Sequence, residues 1–193
     1  MSPVHVKAVV IGGSAGSVEA LTTLLSVLPE QYGIPVIAVV HLPPDSKSLL
    51  ADILQPHCKL IVQEIEDKTP LLPGHVYLAP PDYHVLPESH NVLSLSAEEE
   101  VLFSRPSIDV LFETAADSFD GKVVGVVMTG ANEDGARGLK KIIDAGGLGL
   151  IQDPATAYAP MMPRAAEAAC PTAKLMTLSQ IGEFLTHEVS SCR

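Results

Sequence analysis

Apolar runs of strand length alternate along the chain with stretches whose apolar residues recur at helical spacing. "HVKAVVIG" is a buried run bounded by glycine and predicts a first strand. From Ser17 to Leu28, the residues Val18, Leu21, Leu24, Leu25 and Leu28 share one helical face, and Pro29 stops the helix. "IPVIAVV" (Ile34–Val40) predicts a second buried strand. "DSKSLLADILQ" opens with Asp45 as an N-cap and reads as an amphipathic helix, and "CKLIVQEI" reads as a third strand.

The middle of the chain changes period. "GHVYLAPP", "YHVLPE" and "HNVLSLS" alternate apolar and polar between Pro, Asp and Asn, which predicts a small antiparallel excursion. Helical spacing returns at "SIDVLFETAADSF", with Ser107 as its cap. "KVVGVVMTG" predicts another buried strand, and the helix "DGARGLKKIIDAGG" ends at its glycines. A strand "LGLIQ", a loop, a helix from near Pro163, a strand "KLMTL" and a helix from Ser179 complete the pattern. Strands alternating with helices predict a doubly wound α/β fold, its sheet mostly parallel and covered on both faces. With no repeat or linker, residues 1–193 read as one domain.

Composition narrows the function classes. Tryptophan is absent and aromatics make up 4% of a chain that is 47% hydrophobic, so the core is aliphatic. No apolar run approaches the ~20 residues of a membrane helix, and the N-terminus lacks the pattern of a signal peptide. These features predict a cytoplasmic protein, not membrane-inserted. The three cysteines are far apart and the histidines form no ligand-spaced cluster, which argues against a disulfide framework and a metal site. A net charge of −11 with twelve thinly spread basic residues excludes nucleic acid as the natural partner.

In such sheets ligands bind beyond the carboxyl ends of the strands. Three predicted strands end there in "GGSAG", "VVHLPP" and "ANEDG", offering Ser14, His41 and Asp134. A hydroxyl, an imidazole and a carboxylate are what acyl transfer requires as nucleophile, base and orienting acid. Gly12 to Gly16 fits the G-x-S-x-G elbow, where small residues flank a serine on a sharp strand-to-helix turn. Each residue has a blander reading. Ser14 could sit in a dinucleotide loop, although G-x-G-x-x-G is absent and His41 stands where a ribose-binding acid belongs. His41 could be a hydrogen-bonded strand-end histidine, and Asp134 the N-cap of the helix it precedes. His84 is a rival base. A non-catalytic module binding a receptor or a nucleotide in this crevice is the alternative function.

The ordered set "IGGSAGSVEAL", "VVHLPPD", "LLPGHVYLAPPDYHV", "SRPSIDVLF", "VVGVVMTGANEDGARGL" and "MPRAAEAA" resembles the catalytic domain of the CheB chemotaxis receptor methylesterases, from about Val6 to Phe184. The resemblance implies hydrolysis of glutamyl methyl esters on chemoreceptors, with Ser14 as nucleophile, His41 as base and Asp134 as acid. It also implies deamidation of receptor glutamines, and no metal or organic cofactor. The oxyanion would sit on the N–H groups of Ala15 and of Ala131 in the Gly130–Asn132 turn. Two departures stand out. The family's Ser-x-Gly-Gly is Ser14-Ala15-Gly16-Ser17 here, and its Gly-Met-Gly is Gly130-Ala131-Asn132, where Asn tolerates left-handed backbone angles, so the turn can survive with an altered substrate-facing surface. Many members carry a receiver domain before the catalytic one. Here the first strand starts close to Met1, so a stand-alone catalytic domain, or a fragment, is expected.

Overall fold

The first buried run divides at Lys7 into β1 (Val4–Val6) and β2 (Ala8–Gly13). β2 leads through α1 (Ser17–Ser26) to β3 (Val36–Val40), and α2 (Leu50–Leu54) with a 3-10 turn leads to β4 (Ile61–Glu64). β5 (Thr69–Pro70), β6 (His75–Leu78), β7 (His84–Glu88) and β8 (Val92–Ser96) precede α3 (Ile108–Ser118). Then follow β9 (Val123–Val127), α4 (Ala136–Asp144), β10 (Leu148–Gln152), α5 (Met161–Ala169), β11 (Lys174–Met176), α6 (Leu178–His187) and β12 (Val189–Ser191). This computed structural model describes residues 4–41 and 49–191. Asp45, the expected helix cap, lies outside the described residues.

Seven strands form one parallel sheet in the order β11-β10-β9-β2-β3-β6-β4. Because successive strand residues point to opposite faces, one strand feeds two cores. Val9 and Ile11 of β2 join the apolar faces of α1 and α6 through Leu21, Leu24, Leu25, Ile181 and Leu185. Ala8 and Val10 join α3, α4 and α5 through Ile108, Leu111, Phe112, Leu139, Ile142 and Met162. The doubly wound reading of the sequence holds. After β2 the chain turns toward β3, and it returns to β9 on the other side, so the sheet order reverses between β2 and β9. The crevice above that point is where this architecture places a site.

Three expectations need correction. "GHVYLAPP" is not antiparallel: its core, β6, pairs parallel with both β3 and β4, and displaces β4 to the sheet edge. The misleading signal was Tyr77. It reads as a polar position but is fully buried, its hydroxyl donating to Pro70 O (2.8 Å) and accepting from Leu72 N–H (2.9 Å). The antiparallel sheet is β5-β8-β7. The final helix starts at Leu178, with Thr177 and Gln180 forming a capping box, and α5 starts at Met161, with Pro163 in its first turn where proline is tolerated. The pairing of β1 with β12 was invisible in the sequence, being parallel and joining the two ends of the chain.

Candidate active site

Ser14 follows the last residue of β2, and its N–H donates to Thr129 O (2.9 Å), just past β9. The flanking glycines answer to space. A Cβ on Gly12 would stand 2.3 Å from Ile108 Cγ2, and one on Gly16 would stand 2.7 Å from Tyr158 Cβ. Gly16 also has φ +78°, a conformation costly for any side chain-bearing residue. Ser17, standing where the family has a second glycine, donates both its N–H and its hydroxyl to Ser14 O. The departure therefore adds a brace to the elbow.

β3 lies beside β2, and the backbone N–H of His41 donates to Gly13 O (3.2 Å). This register delivers the imidazole to the serine turn. His41 and Ser14 line one open cleft of about 390 Å³ with Gly16, Ser17, Glu19 and Tyr158. His41 Nε2 lies 2.9 Å from Asp134 Oδ2. An ionised carboxylate only accepts hydrogen bonds, so Nε2 carries the proton, and Nδ1 is left as the basic nitrogen.

Asp134 is fully buried. Its Oδ1 accepts from Ser107 Oγ–H (2.9 Å) and Asp109 N–H (2.9 Å), and its Oδ2 from Ile108 N–H (2.7 Å). It thus caps a helix, but not the one it precedes. The backbone amides belong to the start of α3, while Gly135 (φ +97°) occupies the N-cap of α4. Burial pushes the Asp134 carboxyl up. The His41 hydrogen bond, the helix amides and the imidazole charge outweigh burial and hold it below the usual carboxylate range.

α3 returns the contact. Asp109, also buried, accepts from Gly135 N–H (3.0 Å) and Gly138 N–H (2.6 Å) of α4. Each helix start is capped by a carboxylate from the other. Burial, together with the neighbouring Asp134 charge, raises the Asp109 carboxyl above its ordinary value despite the Gly138 N–H.

The rival base His84 is buried, with both ring nitrogens occupied. Nδ1 accepts from Ser107 N–H (3.1 Å), so Nε2 donates to Glu99 O (2.9 Å). It fastens β7 to α3 and to the loop before it. Of the two tentative oxyanion donors, Ala15 is half-buried in the elbow and Ala131 is exposed. Among the described residues no acceptor takes either N–H. The turn survives without a left-handed Asn132, whose Oδ1 accepts from Asp134 N–H (3.2 Å) and closes it.

Sequence reasoning missed the braces. Thr129 Oγ1 donates to Ala15 O (2.8 Å) and accepts from Ala159 N–H (2.8 Å), while its own N–H donates to Gln152 Oε1 (2.9 Å). Thr129 and Gln152 are polar residues at strand ends, the same signal that singled out His41. Among the described residues no helix is long and apolar enough to cross a membrane.

Known proteins resemble this chain over most of its length. A family profile described as CheB methylesterase matches residues 9–185. A Leptospira interrogans protein, provisionally named a protein-glutamate methylesterase/protein-glutamine glutaminase, is 47% identical over 178 residues, covering 92% of each chain. A Caulobacter vibrioides protein-glutamate methylesterase/protein-glutamine glutaminase is 34% identical over 190 residues, 96% of this chain and 55% of that relative. The crystal structure of the Thermotoga maritima CheB methylesterase catalytic domain superposes with a TM-score of 0.91 at 30% identity, covering 96% of this chain and 100% of that one. The chain belongs to the CheB methylesterase family.

Proposed function

We propose that this chain, a protein-glutamate methylesterase by family, works through Ser14, His41 and Asp134 on methylated glutamates of chemoreceptors, acting from the cytoplasm. His41 Nδ1 takes the Ser14 hydroxyl proton as Oγ bonds to the ester carbonyl carbon. The oxyanion rests on the N–H groups of Ala15 and Ala131, and Asp134 stabilises the imidazolium through Nε2. His41 then gives the proton to the departing methoxide, releasing methanol and leaving a glutamyl ester on Ser14. Water attacks that ester with the same base, which frees glutamate and restores the serine. A receptor glutamine follows the same course with ammonia as the leaving group, in keeping with the double name of the relatives. Every step is proton transfer and acyl transfer within this residue set.

The observation that carries the reading is the His41–Asp134 contact in the cleft that Ser14 lines. A helix-anchored, ionised carboxylate behind an imidazole fixes its tautomer and supports its charge. The test is methanol release from a methylated receptor fragment. Ser14→Ala should abolish it, while the unfolding free energy read from a urea curve changes by no more than the roughly 0.5 kcal/mol typical of surface positions. Turnover by that variant near the wild-type rate would place the nucleophile elsewhere.

A further inference from the structure

Aromatic residues make up 4% of the chain, yet two of them stand almost free in solvent. Phe103 is 97% exposed and Tyr158 82%, the highest values among the large apolar side chains described. Both flank His41. Tyr158 lines the cleft it shares with Ser14, and Phe103 lines a smaller one, about 150 Å³, with Glu100, Arg105 and Asp82.

Neither aromatic sits on loose backbone. Val101 and Ser104 exchange two backbone hydrogen bonds (3.1 and 3.0 Å), closing a two-residue turn with Leu102 and Phe103 at φ +50° and +60°. Such turns favour Asn-Gly, and bulky side chains there are strained. The loop base is fastened by Arg105, whose guanidinium donates to Asp82 Oδ1 (3.0 and 2.6 Å) and to the carbonyls of Ala97 and Glu98. His84 holds Glu99 O from below. Tyr158 packs against the bare Cα of Gly16 and precedes Ala159, which is bonded to Thr129. Strain spent to hold an apolar ring in water stabilises nothing in the free chain, and it points to a partner.

The charges around the rings describe that partner. Glu19 lines one cleft and Glu100 the other, while Asp82 and Arg105 pair with each other, and among the described residues no further lysine or arginine lines either. An acidic rim suits a neutral ester flanked by lysine or arginine, and it repels the carboxylate product. Resting on the methylesterase reading above, we infer that Phe103 and Tyr158 form a two-sided aromatic grip. It takes a receptor segment with aliphatic side chains beside the methylated glutamate and basic side chains outside them.

The test compares two esters, a methylated receptor cytoplasmic fragment and the free ester N-acetylglutamate γ-methyl ester. Phe103→Ala should lose kcat/KM on the receptor fragment about tenfold more than on the free ester, as a truncated aromatic anchor does, with the loss in KM. Phe103→Leu should recover most of it. Phe103→Gly should share the receptor defect yet unfold at a higher temperature, because glycine relieves the left-handed position, whereas a structural ring would lower it. Equal losses on both esters, or no loss, overturn the grip while leaving the site intact. Wild-type chain silent on both esters overturns the reading of the site and the grip with it.

Discussion

At the scale of single residues, the Asp134 carboxylate serves the imidazole and a helix start at once, and pH separates the two carboxylates of this site. A carboxyl held below its ordinary range contributes stability above that range, and the contribution is lost as pH falls through the lowered value. Asp109 has the opposite sign: its carboxyl is raised, so its ionisation costs stability as pH rises through the usual range. Asp134→Asn should therefore be less stable than wild type at pH 7, with the gap narrowing as pH drops below about 4. Urea midpoints at the two pH values check this. The same variant should lose on the order of 10⁴ in kcat, since an amide stabilises neither the tautomer nor the imidazolium. A gap that widens in acid would contradict the assigned direction. Ser14 and His41 were legible in the sequence because a strand-end rule needs only strand ends. Asp134 was legible as a residue but not as the cap of α3, because its partners Ser107, Ile108 and Asp109 lie 25 to 27 positions away.

Between elements, the site depends on α3 and α4 starting face to face, each N-terminus stopped by the other's carboxylate. Helix starts expose donors with no partner inside the helix, and a charged acceptor there is worth more than a neutral one. Asp109→Ala would leave the amides of Gly135 and Gly138 unsatisfied, at about 1–3 kcal/mol for each buried donor. Asp109→Asn keeps an Oδ1 acceptor and should lose less. Because Asp134 immediately precedes the α4 cap, Asp109→Ala should also lower kcat on the receptor ester with KM little changed. Denaturation and steady-state kinetics on the same preparations separate the two effects, and an unchanged kcat would show that α4 holds its place without the cap. Helix existence here was legible from period and caps, and Ser107 is the cap it was read to be, accepting from Val110 N–H. The crossing of the two helix starts was not, since no local pattern records which amide a buried aspartate meets. β6 shows the same limit from the other side: Tyr77 looks polar in one dimension and is core in three.

For the whole molecule, the two faces of the sheet should differ in how they reach the site. Gly125 of β9 lies under α4, where a Cβ would stand 2.7 Å from Leu139 Cδ1 and 2.8 Å from Ile142 Cδ1. Both clashing atoms are side-chain tips, but Leu139 and Ile142 are fully buried in a packed core, so displacing them presses on α4. Gly125→Ala is then an overpacking change, costing about 1–3 kcal/mol. Its displacement runs along α4 toward Gly135 and Asp134, so kcat should fall with stability. Leu185→Ala on α6 empties space in the opposite core, which holds no part of the α3–α4 crossing. It should cost about 2–5 kcal/mol and leave kcat per folded molecule close to wild type. Methanol release normalised to folded protein, beside a urea curve for each variant, gives the comparison. Equal losses of kcat from both faces would mean that the site answers to global stability, whereas a loss confined to Gly125→Ala traces it to the packing of α4 on β9.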